Sequence, residues 1–107
     1  MLCEGGITLD KGKNVERLTA QLDEGEIERL LSECSRVENY DDLFRAAATA
    51  NLELAPLMVI SLAGRGSTYE LITKHLRLSI DRETFFSNQL RTLACFREIL
   101  RERDATE

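Results

Sequence analysis

The sequence predicts an all-α fold, a compact bundle of five or six helices with a long C-terminal helix, about residues 81–103, packed against the others. Three observations predict it. First, Phe85, Phe86, Leu90, Leu93, Ala94, Phe96, Ile99 and Leu100 recur at helical spacing and fill more than half the circumference, leaving Ser87, Arg91, Glu98 and Glu102 for water. A lone surface helix needs an apolar stripe of only roughly 100°, so this one calls for neighbours on at least two sides. Second, the chain before it divides into short segments of helical period with capping residues between them. Third, no two runs have the strand character needed to pair as a sheet, and the single proline, Pro56, suits a first helical turn.

In chain order, residues 1–13 hold three glycines and no helical period, which predicts a flexible lead-in to a single helical domain over residues 14–104. Asn14 is the expected N-cap of a helix from Val15 to Leu22. Asp23, with Glu26 three residues on, makes a capping-box-like start for Glu24 to Val37, whose Ile27, Leu30, Leu31, Cys34 and Val37 share a face. Asn39 opens Tyr40 to Ala50, in which Tyr40, Leu43, Phe44, Ala47 and Ala48 form a stripe whose alanines admit another helix closely. Asn51 is its expected stop. Leu54 to Ala63 is apolar except Ser61 and is expected to be buried all round. Leu57 to Leu62 is also short enough for a buried strand, but it has no partner run, so the helix is preferred. Ser67 and Glu70 complete an S-x-x-E start for the next helix, with Tyr69, Ile72 and Leu76 pointing inward, and Asp81 caps the last one.

A chain of 107 residues can bury about two thirds of its unfolded surface without a metal or disulfide staple. Its formal net charge of −5 opposes general coating of phosphate backbones. The charge is uneven: residues 1–53 carry twelve acids and six bases, residues 54–107 seven acids and eight bases. Cys3, Cys34 and Cys95 are odd in number and scattered, which suits a reducing compartment and indicates neither a disulfide framework nor a zinc site. No apolar run has signal-peptide or membrane-span length, so a cytoplasmic protein with no membrane contact and no cofactor is expected.

Candidate chemistry is sparse. Gly64, Arg65, Gly66, Ser67 and Thr68 could gather backbone N–H groups and hydroxyls around an anion or nucleotide at a helix start, although neither G-K-[ST] nor a third glycine follows. His75 has only Lys74 and Arg77 for sequence neighbours of charge, a poor setting for a base or metal ligand. Arg82, Thr84, Ser87, Asn88 and Arg91 line the expected outer side of the long helix shortly after another helix, a spacing like a helix-turn-helix over residues 68–91. Asp81 and Glu83 would oppose phosphates there. The dense acids from Asp23 to Asp42, among them Glu26, Glu33, Asp41 and Asp42, could steer a basic partner.

Leu43-Phe44-Arg45, with Gly66-Ser67-Thr68-Tyr69 and Gln89-Leu90-Arg91 farther on, resembles fragments of helical Ras GTPase-activating domains. Such domains are several times longer, and Ala46 and Ala47 stand where glycine and asparagine follow their L-F-R, so no catalytic role is carried over. The expectation is a non-enzymatic helical interaction or adaptor module. It binds another protein through a helix face, with Glu26, Glu33, Asp41 and Asp42 steering and Arg91 and Arg101 in the contact. Homo-oligomers are expected from one copy's acidic half meeting another's basic half. A small DNA-binding regulator and an anion-binding domain are the alternatives.

Overall fold

The computed structural model describes residues 15–64, 69–76 and 79–106. Among them are six α-helices, two 3-10 turns and no strand, so the all-α expectation holds and the strand alternative for 57–62 does not. The helices are α1 (15–20), α2 (Glu24–Cys34), α3 (Tyr40–Ala50), α4 (Ala55–Ala63), α5 (Tyr69–Leu76) and α6 (Arg82–Thr106). The expected lead-in, Asn14 as a cap, and Ser67 as a cap lie outside the described residues.

Local chemistry sets most boundaries. Asp23 accepts a 2.8 Å bond from the Glu26 N–H at the start of α2, and Asp81 accepts a 3.1 Å bond from the Thr84 N–H at the start of α6. Both satisfy N–H groups that a helix start leaves unpaired. Asn51 stops α3, its N–H bonding the Ala47 carbonyl at 2.8 Å, and its side chain then caps the 3-10 turn Leu52–Leu54. Pro56 sits in the first turn of α4, and the Gly64 N–H closes that helix on Ile60 O at 3.0 Å. α2 ends at Cys34, earlier than expected, and the 3-10 turn Val37–Asn39 joins it to α3. Val37, read as an inward residue, is 74% exposed as a result.

α6 is the spine of the bundle. At about 1.5 Å per residue, its 25 residues are long enough to touch every layer of the protein. Its most extensive contact is with α3, where fully buried Leu43, Ala46 and Ala47 form the facing row. Those alanines bring the backbones close. The same closeness leaves no room between the helices for larger rings, so Tyr40 and Phe44, expected inside, lie half-exposed on the flank of α3. α4 is not buried all round either: Ala55, Leu57, Met58, Ser61 and Leu62 face inward while Ile60 faces water.

Two apolar clusters result. One gathers Val15, Leu30, Cys34, Leu43, Ala46, Leu62, Leu93, Cys95, Phe96 and Leu100 around the second half of α6. The other gathers Ala47, Ala55, Leu57, Met58, Ile72 and Phe85 around its first half.

Candidate interaction surface on the long helix

The inner row of α6 contains three polar side chains that sequence periodicity does not mark as buried: Asn88, Thr92 and Arg97, each less than 5% exposed. Arg97 lies one turn from Leu93, Ala94 and Leu100, in the middle of the apolar arc, and that position was the available signal. Its Nη1 donates to both Glu26 oxygens at 2.9 and 3.1 Å, and its Nη2 to Gln21 Oε1 at 3.3 Å. Its Nε lies 3.4 Å from Glu98 Oε2 without hydrogen-bond geometry, a charge contact only. Glu26 is therefore not the second half of a capping box at Asp23. A buried guanidinium without its carboxylate would cost several kcal/mol, and that demand overrides the local cap.

Three more arginines of α6 repeat the arrangement nearer the surface. Arg91 Nε meets Glu16 of α1 at 2.7 Å. Arg101 lies 3.3 Å from Glu98 and 3.9 Å from Glu26. Arg103 Nη1 donates to Asp42 at 2.9 Å and to Asn39 Oδ1 at 3.0 Å, while Arg45 reaches the other Asp42 oxygen at 3.4 Å. The acidic first half and the more basic second half of the chain thus meet within one molecule. Asn39 was expected to cap α3, but it is buried and donates instead to Glu33 O and Glu33 Oε1 at 3.0 and 2.9 Å.

The first half of α6 is built differently. Tyr69, Phe85 and Phe86 form an aromatic cluster in which Phe85 meets the other two rings edge-to-face at 5.3 and 5.4 Å while Tyr69 and Phe86 are tilted at 6.3 Å, and the Arg82 guanidinium lies 5.0 Å from the Tyr69 ring centre. The Tyr69 hydroxyl donates to Ile80 O, and Arg82 bonds Glu70 across to α5. Glu70 is held below the usual carboxylate range by its backbone hydrogen bonding first and by Arg82 second. The Thr84 hydroxyl and N–H hold Asp81 low in the same way. Gln89 ties this half to α4 by donating to Ser61 Oγ at 3.1 Å.

The outer side of this half carries the feature most suited to a partner. Phe86 is 43% and Leu90 37% exposed, one turn apart on α6. Beside them a shallow groove of about 250 Å³ runs between α1 and α6, lined by Glu16, Thr19, Ala20, Ser87, Leu90 and Arg91. Neither Phe86 nor Leu90 is exposed by accident of a loop: both stand on a helix whose opposite side is fully packed.

Of the residues expected to meet a partner, Arg91 lines this groove, whereas Arg101 leans on Glu26 and Glu98 toward α2. Glu26 and Asp42 are engaged by Arg97 and Arg103, Glu33 by Asn39, and Asp41 stands exposed. The residues expected to read DNA do not form an open row. Asn88 is a correction: it lies on the α6 side packed in the bundle, 3% exposed, its Nδ2 bonded to Thr84 O at 2.8 Å, and it cannot reach a base edge. Thr84 is bonded to Asp81, Arg82 to Glu70, and Arg91 to Glu16, while Ser87 is half-buried. Of the expected anion loop only Gly64 is described, as the end of α4; Arg65, Gly66, Ser67 and Thr68 lie outside the described residues, as does the His75 side chain. Among the described residues no group of three His, Cys, Asp or Glu side chains could hold a metal, and no helix is long and apolar enough to cross a membrane.

No family model, curated protein or solved structure matches the chain.

Proposed function

We propose that the chain is a non-enzymatic helical interaction module that docks another protein on the Phe86–Leu90 face of α6. The observation that carries this reading is the pair itself: two large apolar side chains one turn apart, held on a rigid helix beside the α1–α6 groove. Apolar anchors at the centre and a charged rim, here the Glu16–Arg91 pair, are what protein interfaces of modest size use. Burial first and Glu33 second push the Cys34 thiol up to about 12, away from nucleophilic chemistry. The scattered, odd-numbered cysteines suit work in a reducing, cytoplasmic setting. Self-association through opposite charges gains no support, since the acids and arginines in question already meet within one chain.

The test is quantitative affinity capture from the source cell with the intact chain and its Leu90→Asp variant. The expected result is a protein whose recovery falls about tenfold, the usual cost of one interface anchor, at an unchanged melting temperature. Identical capture by the two forms would remove the α6 face from consideration.

A further inference from the structure

The Phe86–Leu90 face lies where the chain enters the bundle. Glu16, in the first turn of α1, bonds Arg91 at 2.7 Å, and Arg91 directly follows Leu90. Gln21, just past the end of α1, accepts from Arg97 at 3.3 Å, farther along α6. α1 therefore advances in the same sense as α6, and the chain that precedes Val15 leaves toward the Phe86 end of the long helix. Fourteen residues precede Val15. An extended chain gains about 3.3 Å per residue, so a segment of that length reaches well past Leu90 and Phe86, which stand only about 6 Å apart along the helix axis.

The segment also carries side chains that match the face. Ile7 and Leu9 flank Thr8, and alternate residues of an extended chain fall on one side about 6.6 Å apart. That repeat is close to the rise from Phe86 to Leu90, so each aliphatic side chain meets one of the two exposed ones. A tethered segment presents itself at an effective concentration on the order of a millimolar, which lets a contact of only four apolar side chains form where a free peptide of the same sequence would not hold.

We infer that Ile7 and Leu9 cover Phe86 and Leu90, and that the partner of this face has to displace them. The contact itself needs no partner, whereas the competition rests on the docking reading of the preceding section.

The test is nuclear Overhauser spectroscopy on the intact, isotope-labelled chain. The Ile7 and Leu9 methyl groups show cross-peaks to the Phe86 ring and the Leu90 methyls, and Ile7→Ser/Leu9→Ser shifts the Phe86 and Leu90 resonances while those of Phe44 stay in place. Absence of the cross-peaks, with Phe86 and Leu90 unmoved in the variant, overturns the contact, whatever capture with Leu90→Asp returns. Cross-peaks that arise only between differently labelled chains in a mixed sample overturn it too, by assigning the segment to a second copy. Competition is read from capture: Ile7→Ser/Leu9→Ser raises recovery of the protein that Leu90→Asp loses, by roughly tenfold for a segment that covers the face nine-tenths of the time. Unchanged recovery beside intact cross-peaks overturns the competition. If Leu90→Asp loses no protein, the docking reading fails and the contact stands on the cross-peaks alone.

Discussion

The two halves of α6 hold their neighbours by different means. From Arg91 onward the helix anchors α1, α2 and α3 through guanidinium–carboxylate contacts laid over the larger apolar cluster. From Arg82 to Leu90 it relies on aromatic packing, a smaller cluster, and a few side-chain bonds to α4 and α5. Directional polar bonds fix where a helix sits, whereas apolar packing of similar area tolerates adjustment. The second half therefore sets the architecture. The first half leaves apolar side chains at the surface, where a partner can use them.

Four measurements break or sharpen that contrast. Phe96→Ala empties a fully buried site in the larger cluster and should cost about 4 kcal/mol in denaturant unfolding; a cost no greater than that of a surface substitution would show that this cluster is not the structural centre. Arg97→Met should cost about 3 kcal/mol by stranding Glu26, which retains some solvent contact. The double variant Arg97→Met/Glu26→Leu should recover most of that, because it removes both charges together. Equal losses in the single and double variants would mean that shape, and not charge pairing, matters at this point. Arg103→Gln should cost about 1 kcal/mol, of which high salt removes the share due to the Asp42 charge but not the share due to the bond to buried Asn39.

The smallest effect belongs to the apolar half. Asp81 has a folded pKa below its unfolded one, so its contribution is present above the ordinary carboxylate range and is lost as pH falls through the lower folded value. Asp81→Asn keeps a capping oxygen but should flatten that acid-side loss in melting temperature; an unchanged acid profile would mean that the Thr84 contacts carry no charge dependence. Cys34 runs the other way at the alkaline end. Its contribution is full below the ordinary thiol value of 9.0 and is lost as pH rises through about 12.

Features fixed within a few residues were legible in the sequence. Asp23 and Asp81 as caps, Asn51 as a stop, and Pro56 in a first turn each act on neighbours within one helical turn. The apolar rows of α2 and α6 were legible in part, since Leu30, Cys34, Phe85, Leu93 and Phe96 are buried as their spacing predicts, while Leu31 and Phe86 are not. Periodicity reports which residues could face inward but not how many neighbours arrive to cover them. Of the polar interior, only the place of Arg97 within the apolar arc was legible, not its partner. Arg97 and Glu26 are 71 positions apart, and nothing local to either residue signals the other. The uneven charge of the two halves, expected to serve a second copy, is resolved within the chain. Tyr40 and Phe44 have helical spacing that suits a core, yet they lie exposed beside the row of Leu43, Ala46 and Ala47 that is buried.

The position of α6 has a consequence for synthesis. Both apolar clusters need side chains from this helix, which leaves the ribosome after the other five. Until Phe96 and Leu100 emerge, the larger cluster lacks the side chains that close it, although α3 and α4 can already pack on each other. The larger cluster of the nascent chain therefore closes only once α6 has been made, and its greasy faces stay unguarded until then.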